Sequence, residues 1–193
     1  MQFENCLAGS RFQTSIYHKA MESHPDTQLI VFPELAVTGY QCGENFKDLA
    51  ETATIDSTSI KKMSALAKEF HVHIVYGMAE KEEDILYNSQ FFIDDTGVLL
   101  GTYRKVHLFD SEKNYFTPGD QFKVFNTKIG RIGLFICYDA FFPEAARSLA
   151  IQGVDLLVNS TNWEKPYDYD IAKQMKHDYY TMLTERRPDV YIA

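Results

Sequence analysis

Helical and strand signals alternate at both ends of this chain, but from His73 to Ile136 it carries only strand-length apolar runs. That order constrains the fold more than any other feature. At the start, Phe12, Ile16, Ala20 and Met21 share one helical face, and Pro25-Asp26 stops the pattern. Leu29 to Phe32 reads as a buried strand closed by Pro33, and residues 44–53 read as weakly helical. Ile60, Met63, Leu66, Ala67 and Phe70 give a 3.6-residue stripe, with Asp56, Ser57 or Ser59 available as the N-cap. Then come strands. His73 to Tyr76 is short, and Tyr87 to Ile93 and Val98 to Val106 flank Asp94-Asp95-Thr96-Gly97, a hairpin turn whose glycine supplies the positive φ. Phe122 to Phe125 and Ile129 to Ile136 follow. Pro143 fits the first position of a helix with Ala146, Leu149 and Ala150 inward and Gly153 as its stop. Leu156 to Val158 is a buried strand, residues 169–186 read as a helix, and Val190 to Ile192 begins a strand. This succession predicts an α/β fold with mixed sheets, and an αββα sandwich accommodates every element.

The chain of 193 residues is about 1.3 times a usual domain length, so a single domain over 1–193 is expected. Its net charge of −8 repels phosphate backbones, no local basic patch offsets it, and the short runs Lys61-Lys62 and Arg186-Arg187 read as ordinary solvated faces, so no nucleic-acid partner is expected. No apolar run approaches the roughly 18 residues of a membrane helix, and MQFENCLAGS lacks the apolar stretch of a signal peptide. Three cysteines, Cys6, Cys42 and Cys137, are too few for a disulfide framework, which points to a reducing, cytoplasmic setting.

Three residues combine chemistry with an apolar setting. Cys137 ends the run Ile132 to Ile136 and precedes a turn into a helix, a place that exposes a side chain at a sheet edge and aims backbone N–H groups at what binds there. A thiol there needs a neighbouring base or a lowered pKa to react. Glu34 directly follows a buried strand, and Lys105 lies near the end of another. Charges in such places are costly unless paired. Together they supply a base, a cation and a thiol. Glu144 and Arg147 are spaced for a helical ion pair, and His71-x-His73 lacks a third metal ligand.

Three blocks resemble the carbon–nitrogen hydrolase (nitrilase/amidase) superfamily: LIVFPELAVTGY around Glu34, LYNSQFFIDDTGVLLGTYRKVHLFDSEKNYFTPGD around Lys105, and IGRIGLFICYDAFFPEAARSLAIQGVDLLVNSTNW around Cys137. The resemblance runs from about residue 12 to 193. It implies an αββα sandwich and a Glu–Lys–Cys triad, with Glu34 as general base, Lys105 as the cation that stabilises the intermediate, and Cys137 as nucleophile. It also implies an additional active-site glutamate at Glu112, no metal and no organic cofactor. Tyr40, Tyr138, Phe142, Asn162 and Trp163 are the expected substrate contacts. The implied partner is a small-molecule amide, and the implied assembly is a homodimer or higher homo-oligomer.

Against the family pattern, MQFENCLAGS is an altered first strand, and further strands would follow the point where Ile192-Ala193 ends. Arg187-Pro188-Asp189 replaces a common Glu-Asn pair, and Ser160 stands where many members have Pro. The leading expectation is an amidase-type hydrolase of a small carboxamide or N-carbamoyl compound. Nitrilases tend to carry Trp after the nucleophile, so Tyr138 favours the amide branch. A catalytically silent binding or assembly protein is the alternative. A Cys–His enzyme using His107 is weaker, because no oriented His–Asp or His–Asn pair stands out in the sequence.

Overall fold

The computed structural model describes residues 14–162 and 191–192. Helix α1 (Thr14–Ser23) leads into strand β1 (Leu29–Val31). A 3₁₀ turn at Gly43–Asn45 and the short helix α2 (Phe46–Leu49) follow, then helix α3 (Thr58–Phe70). Ser57 starts α3, since its hydroxyl accepts the Ile60 backbone N–H, and His71 ends it in the left-handed conformation. Strands β2 (His73–Glu82), β3 (Ile85–Ile93) and β4 (Leu99–Arg104) complete a sheet of order β1-β2-β3-β4, with β1 parallel to β2 and the rest antiparallel.

The second sheet has the order β5-β6-β7-β8, from β5 (Val124–Thr127), β6 (Gly130–Ile136), β7 (Leu156–Ser160) and β8 (Tyr191–Ile192). β5 and β6 are antiparallel, whereas β6, β7 and β8 run parallel. Helix α4 (Pro143–Ile151) supplies the β6-to-β7 crossover, with Pro at its first position.

Burial sorts these elements into layers. Ile60, Met63, Leu66 and Ala67 of α3, with Tyr17 of α1, cover one face of the first sheet through Ile74, Tyr76, Met78, Phe91 and Ile93. The other face contributes Val75, Phe92 and Tyr103 to a core shared with Ile132, Leu134, Ile136, Leu157 and Val158 of the second sheet. The Phe92 and Phe125 rings meet edge-on across that interface, 5.5 Å apart. On the far side α4 sits close enough to Gly133 that a Cβ there would lie 3.1 Å from Leu149 and 3.0 Å from Val154. Helix, sheet, sheet and helix stack in that order. This is the αββα sandwich the sequence predicts.

Several boundaries differ from expectation. β2 continues past Tyr76 to Glu82, because pairing with β3 satisfies its backbone beyond the apolar run. Buried Glu80 in that extension is matched by Ser89 at 2.5 Å and by Arg104 at 2.5 Å. Ala20 faces solvent, so α1 packs through Tyr17 and Met21. The expected helix over 44–53 is only the 3₁₀ turn and α2, after which Glu51 bridges to Glu80. Glu144 and Arg147 are both exposed and do not pair, in keeping with the small free energy of surface ion pairs. Phe12, Cys6, the helix expected over 169–186, and Arg187-Pro188-Asp189 lie outside the described residues.

Candidate active site

Three strand ends and two tight turns bring the charged residues together. Phe32 N–H still pairs with Val75 C=O beyond β1, and the chain then rises over β2. Gly77 permits that crossing: a Cβ there would lie 2.5 Å from Leu35 N and 2.9 Å from Pro33 O. Glu34 is thereby placed against the sheet with 1% of its surface exposed. Lys105 is one residue past β4, where its N–H still donates to Asn88 C=O at 2.8 Å, and it is fully buried. Glu112 belongs to a 3₁₀ turn, Asp110–Asn114, and its Oε2 accepts the Phe109 N–H at 2.8 Å. That bond folds the carboxylate back toward Lys105.

Lys105 Nζ donates to Glu34 Oε1 at 2.6 Å and to Glu112 Oε1 at 2.9 Å. Asn88 Nδ2 also donates to Glu34 Oε1, at 2.8 Å, which leaves Glu34 Oε2 buried with no nitrogen or hydroxyl donor. Burial pushes the Glu34 carboxyl above its usual range, with Lys105 working against the rise and Glu112 adding to it. Burial alone would lower Lys105, but the two carboxylates and Cys137 hold it above its ordinary value, so it stays charged.

Cys137 follows β6 directly and opens a 3₁₀ turn, Cys137–Phe141, in the left-handed region at φ 44°. A non-glycine residue held there stores strain that the surroundings must offset. The Glu34 carboxylate and the Asn162 backbone lie close enough to its thiol to act on its ionisation. Burial, then the Glu34 charge, pushes the thiol up to about 12, with Lys105 acting in the opposite direction. At pH 7 roughly 10⁻⁵ of such a thiol is ionised. A base is therefore required for it to react, and Glu34 is the carboxylate near enough to shift it.

The structure thus groups Glu34, Lys105, Glu112 and Cys137 in one cluster. Tyr40 joins them: burial, with the nearby Glu34 and Glu112 carboxylates, holds its phenol well above its ordinary value. Tyr138 and Phe142 pack edge to face at the same turn, with Phe109 on the other side of Tyr138. Asn162 enters through its backbone, while its side chain is exposed. Trp163 lies outside the described residues.

Sequence reading missed two members. Asn88 is a polar residue inside an apolar strand, ILYNSQFFI, and that interruption was the available signal. It also missed a His–Asp pair: His107 Nδ1 lies 2.9 Å from Asp139 Oδ1. Among the described residues no group of three His, Cys, Asp or Glu side chains could hold a metal ion, and no helix is long and apolar enough to cross a membrane.

Comparison with known proteins finds the carbon-nitrogen hydrolase family matching residues 13–181. A probable nitrilase of Schizosaccharomyces pombe is 49% identical over 168 residues, 84% of this chain and 61% of the relative. An N-carbamoylputrescine amidase of Solanum tuberosum is 41% identical over 140 residues, 69% of this chain and 47% of the relative. A Saccharomyces cerevisiae member of branch 10 of the nitrilase superfamily superposes with a TM-score of 0.81 at 28% identity, covering 93% of this chain and 66% of that structure. The chain therefore spans about half to two thirds of the length of these proteins.

Proposed function

This chain belongs to the carbon-nitrogen hydrolase family, and from that premise we propose that it hydrolyses a non-peptide carbon–nitrogen bond in a small carboxamide or N-carbamoyl compound through a cysteine thioester. The observation that carries the reading is a fully buried Lys105 bound to two carboxylates beside a thiol that only a base can ionise.

Glu34 accepts the Cys137 proton as the sulfur attacks the carbonyl carbon, forming the S–C bond and placing negative charge on the oxygen. Lys105 and the Tyr138 backbone N–H stabilise that oxyanion. Glu34 then protonates the departing nitrogen, the C–N bond breaks, and ammonia or an amine leaves a thioester on Cys137. In the second half Glu34 takes a proton from water, the water oxygen attacks the thioester carbon, and the acid departs as the thiol is reprotonated. Glu112 holds Lys105 from the other side, so the lysine stays charged and fixed throughout.

The test is ammonia release from a panel of short carboxamides, N-carbamoyl amines and nitriles. The reading predicts release from at least one amide or carbamoyl compound and its loss in Glu34→Gln. Binding of amides with no release from any of them would favour the catalytically silent alternative. Release confined to nitriles would move the substrate class.

A further inference from the structure

Asp139 is fully buried, yet among the described residues no lysine or arginine pairs with it. Its two oxygens instead receive four hydrogen bonds. Oδ1 accepts the His107 backbone N–H at 2.8 Å and contacts His107 Nδ1 at 2.9 Å. Oδ2 accepts the Ile136 N–H at 2.9 Å and the Tyr103 hydroxyl at 2.7 Å. The positions of these donors matter. Ile136 immediately precedes Cys137, and Asp139 lies two residues after it. Tyr103, in β4, and His107, in the bend that follows it, lie two residues before and after Lys105. One carboxylate therefore ties the residues on both sides of the cation to the residues on both sides of the thiol.

The His107 ring is fixed in turn. It stacks on Phe142, the residue that ends the nucleophile turn, with centroids 3.7 Å apart and planes 8° from parallel. Phe122 lies 6.1 Å away at 27°. With Nδ1 facing an acceptor, the ring presents Nδ1–H to Asp139, and its side chain remains 26% exposed. The restraint has something to hold, because Cys137 sits at φ 44°, a conformation that relaxes unless the surroundings determine it.

We propose that His107 and Asp139 are positioning residues for Cys137: the pair holds the strained nucleophile turn in register with Lys105, so that the thiol meets Glu34. Neither touches the reacting atoms. The effect on turnover rests on the hydrolase reading above, whereas the effect on the thiol does not.

The experiment compares wild type, His107→Phe and His107→Asn. Phenylalanine keeps the stacked ring and removes the Nδ1 donor, and asparagine restores an N–H near the same place. Each is measured for Cys137 alkylation by chloroacetamide, for kcat and KM on an amide the wild type hydrolyses, and for thermal midpoint. His107→Phe should lower the alkylation rate and kcat by about tenfold or more while KM changes less than about twofold, and His107→Asn should recover most of both. An unchanged alkylation rate in His107→Phe, or a loss that His107→Asn does not restore, overturns the proposal, as does a change confined to KM. If wild type hydrolyses nothing, the alkylation arm still decides this proposal while the hydrolase reading fails separately. If His107→Phe melts more than about 5 °C lower, Tyr103→Phe, which removes one donor to Oδ2, replaces it under the same two criteria for loss.

Discussion

Replacing Lys105 with methionine removes the cation and keeps most of the side-chain volume. The structure fixes what is left behind: Glu34, 1% exposed, and Glu112, 5% exposed, facing each other across the site that Nζ occupied at 2.6 and 2.9 Å. Removing one partner of a buried ionic group costs about 3–5 kcal/mol, because a buried charge is left uncompensated. For a chain of this length each kcal/mol lowers the melting midpoint by about 2–4 °C, so the expected drop near pH 8 is about 6–20 °C. The pH dependence identifies the cause. Burial already raises the Glu34 carboxyl above its unfolded value of about 4.3, and removing Lys105 removes the charge that opposes the rise. Its protonated form is tolerated in the fold, so stability is present at low pH and is lost as pH rises through the folded value. Differential scanning fluorimetry of wild type and Lys105→Met from pH 5 to pH 8 should therefore show a deficit that widens with pH. A deficit equal at both ends, or a loss below about 1 kcal/mol at pH 8, would refute the reasoning, since neither is compatible with two buried carboxylates losing their counter-ion.

Burial raises Glu34 above the ordinary carboxylate range, and the proposed base works only when ionised, so kcat/KM should fall on the acid side at a pH above about 4.3. A profile flat down to pH 4 would argue against Glu34 as the base. Gly77→Ala should destabilise the fold by roughly 2 kcal/mol or more, because its Cβ would meet the Leu35 backbone nitrogen at 2.5 Å and displace the Glu34 segment, and chemical denaturation measures this. Loss of less than about 0.5 kcal/mol would mean the crossing over β2 adapts more easily than the contact implies.

Glu34, Lys105 and Cys137 were legible because each is a reactive side chain at the end of an apolar run, where strand periodicity stops and polarity begins. Glu112 came from the family resemblance alone. What sequence could not supply is pairing over distance. Asn88 reaches Glu34 across 54 positions and Asp139 reaches His107 across 32, and nothing local marks either partner. Asp139 in a turn reads as an ordinary cap residue, and indeed it accepts the Ile136 N–H, but its other donors come from the facing sheet. β2 was cut short at Tyr76 for a related reason. Glu80 and Glu82 look like loop residues until Arg104, 24 and 22 positions away, pairs with both. The mixed α/β class was readable because the order of apolar runs does not depend on such partners, whereas the αββα sandwich was what the family resemblance implied.

The central claim is that Cys137 forms a covalent acyl intermediate with Glu34 as its base. Intact-protein mass spectrometry on samples quenched in acid during exposure to a hydrolysed amide tests it directly. The account predicts that wild type gains the mass of the acyl group without the amide nitrogen, that peptide mapping places the adduct on Cys137, and that Cys137→Ala, folded with a near-native midpoint, shows neither adduct nor ammonia release. An acyl adduct on another residue, or ammonia release by Cys137→Ala at the wild-type rate, would contradict it.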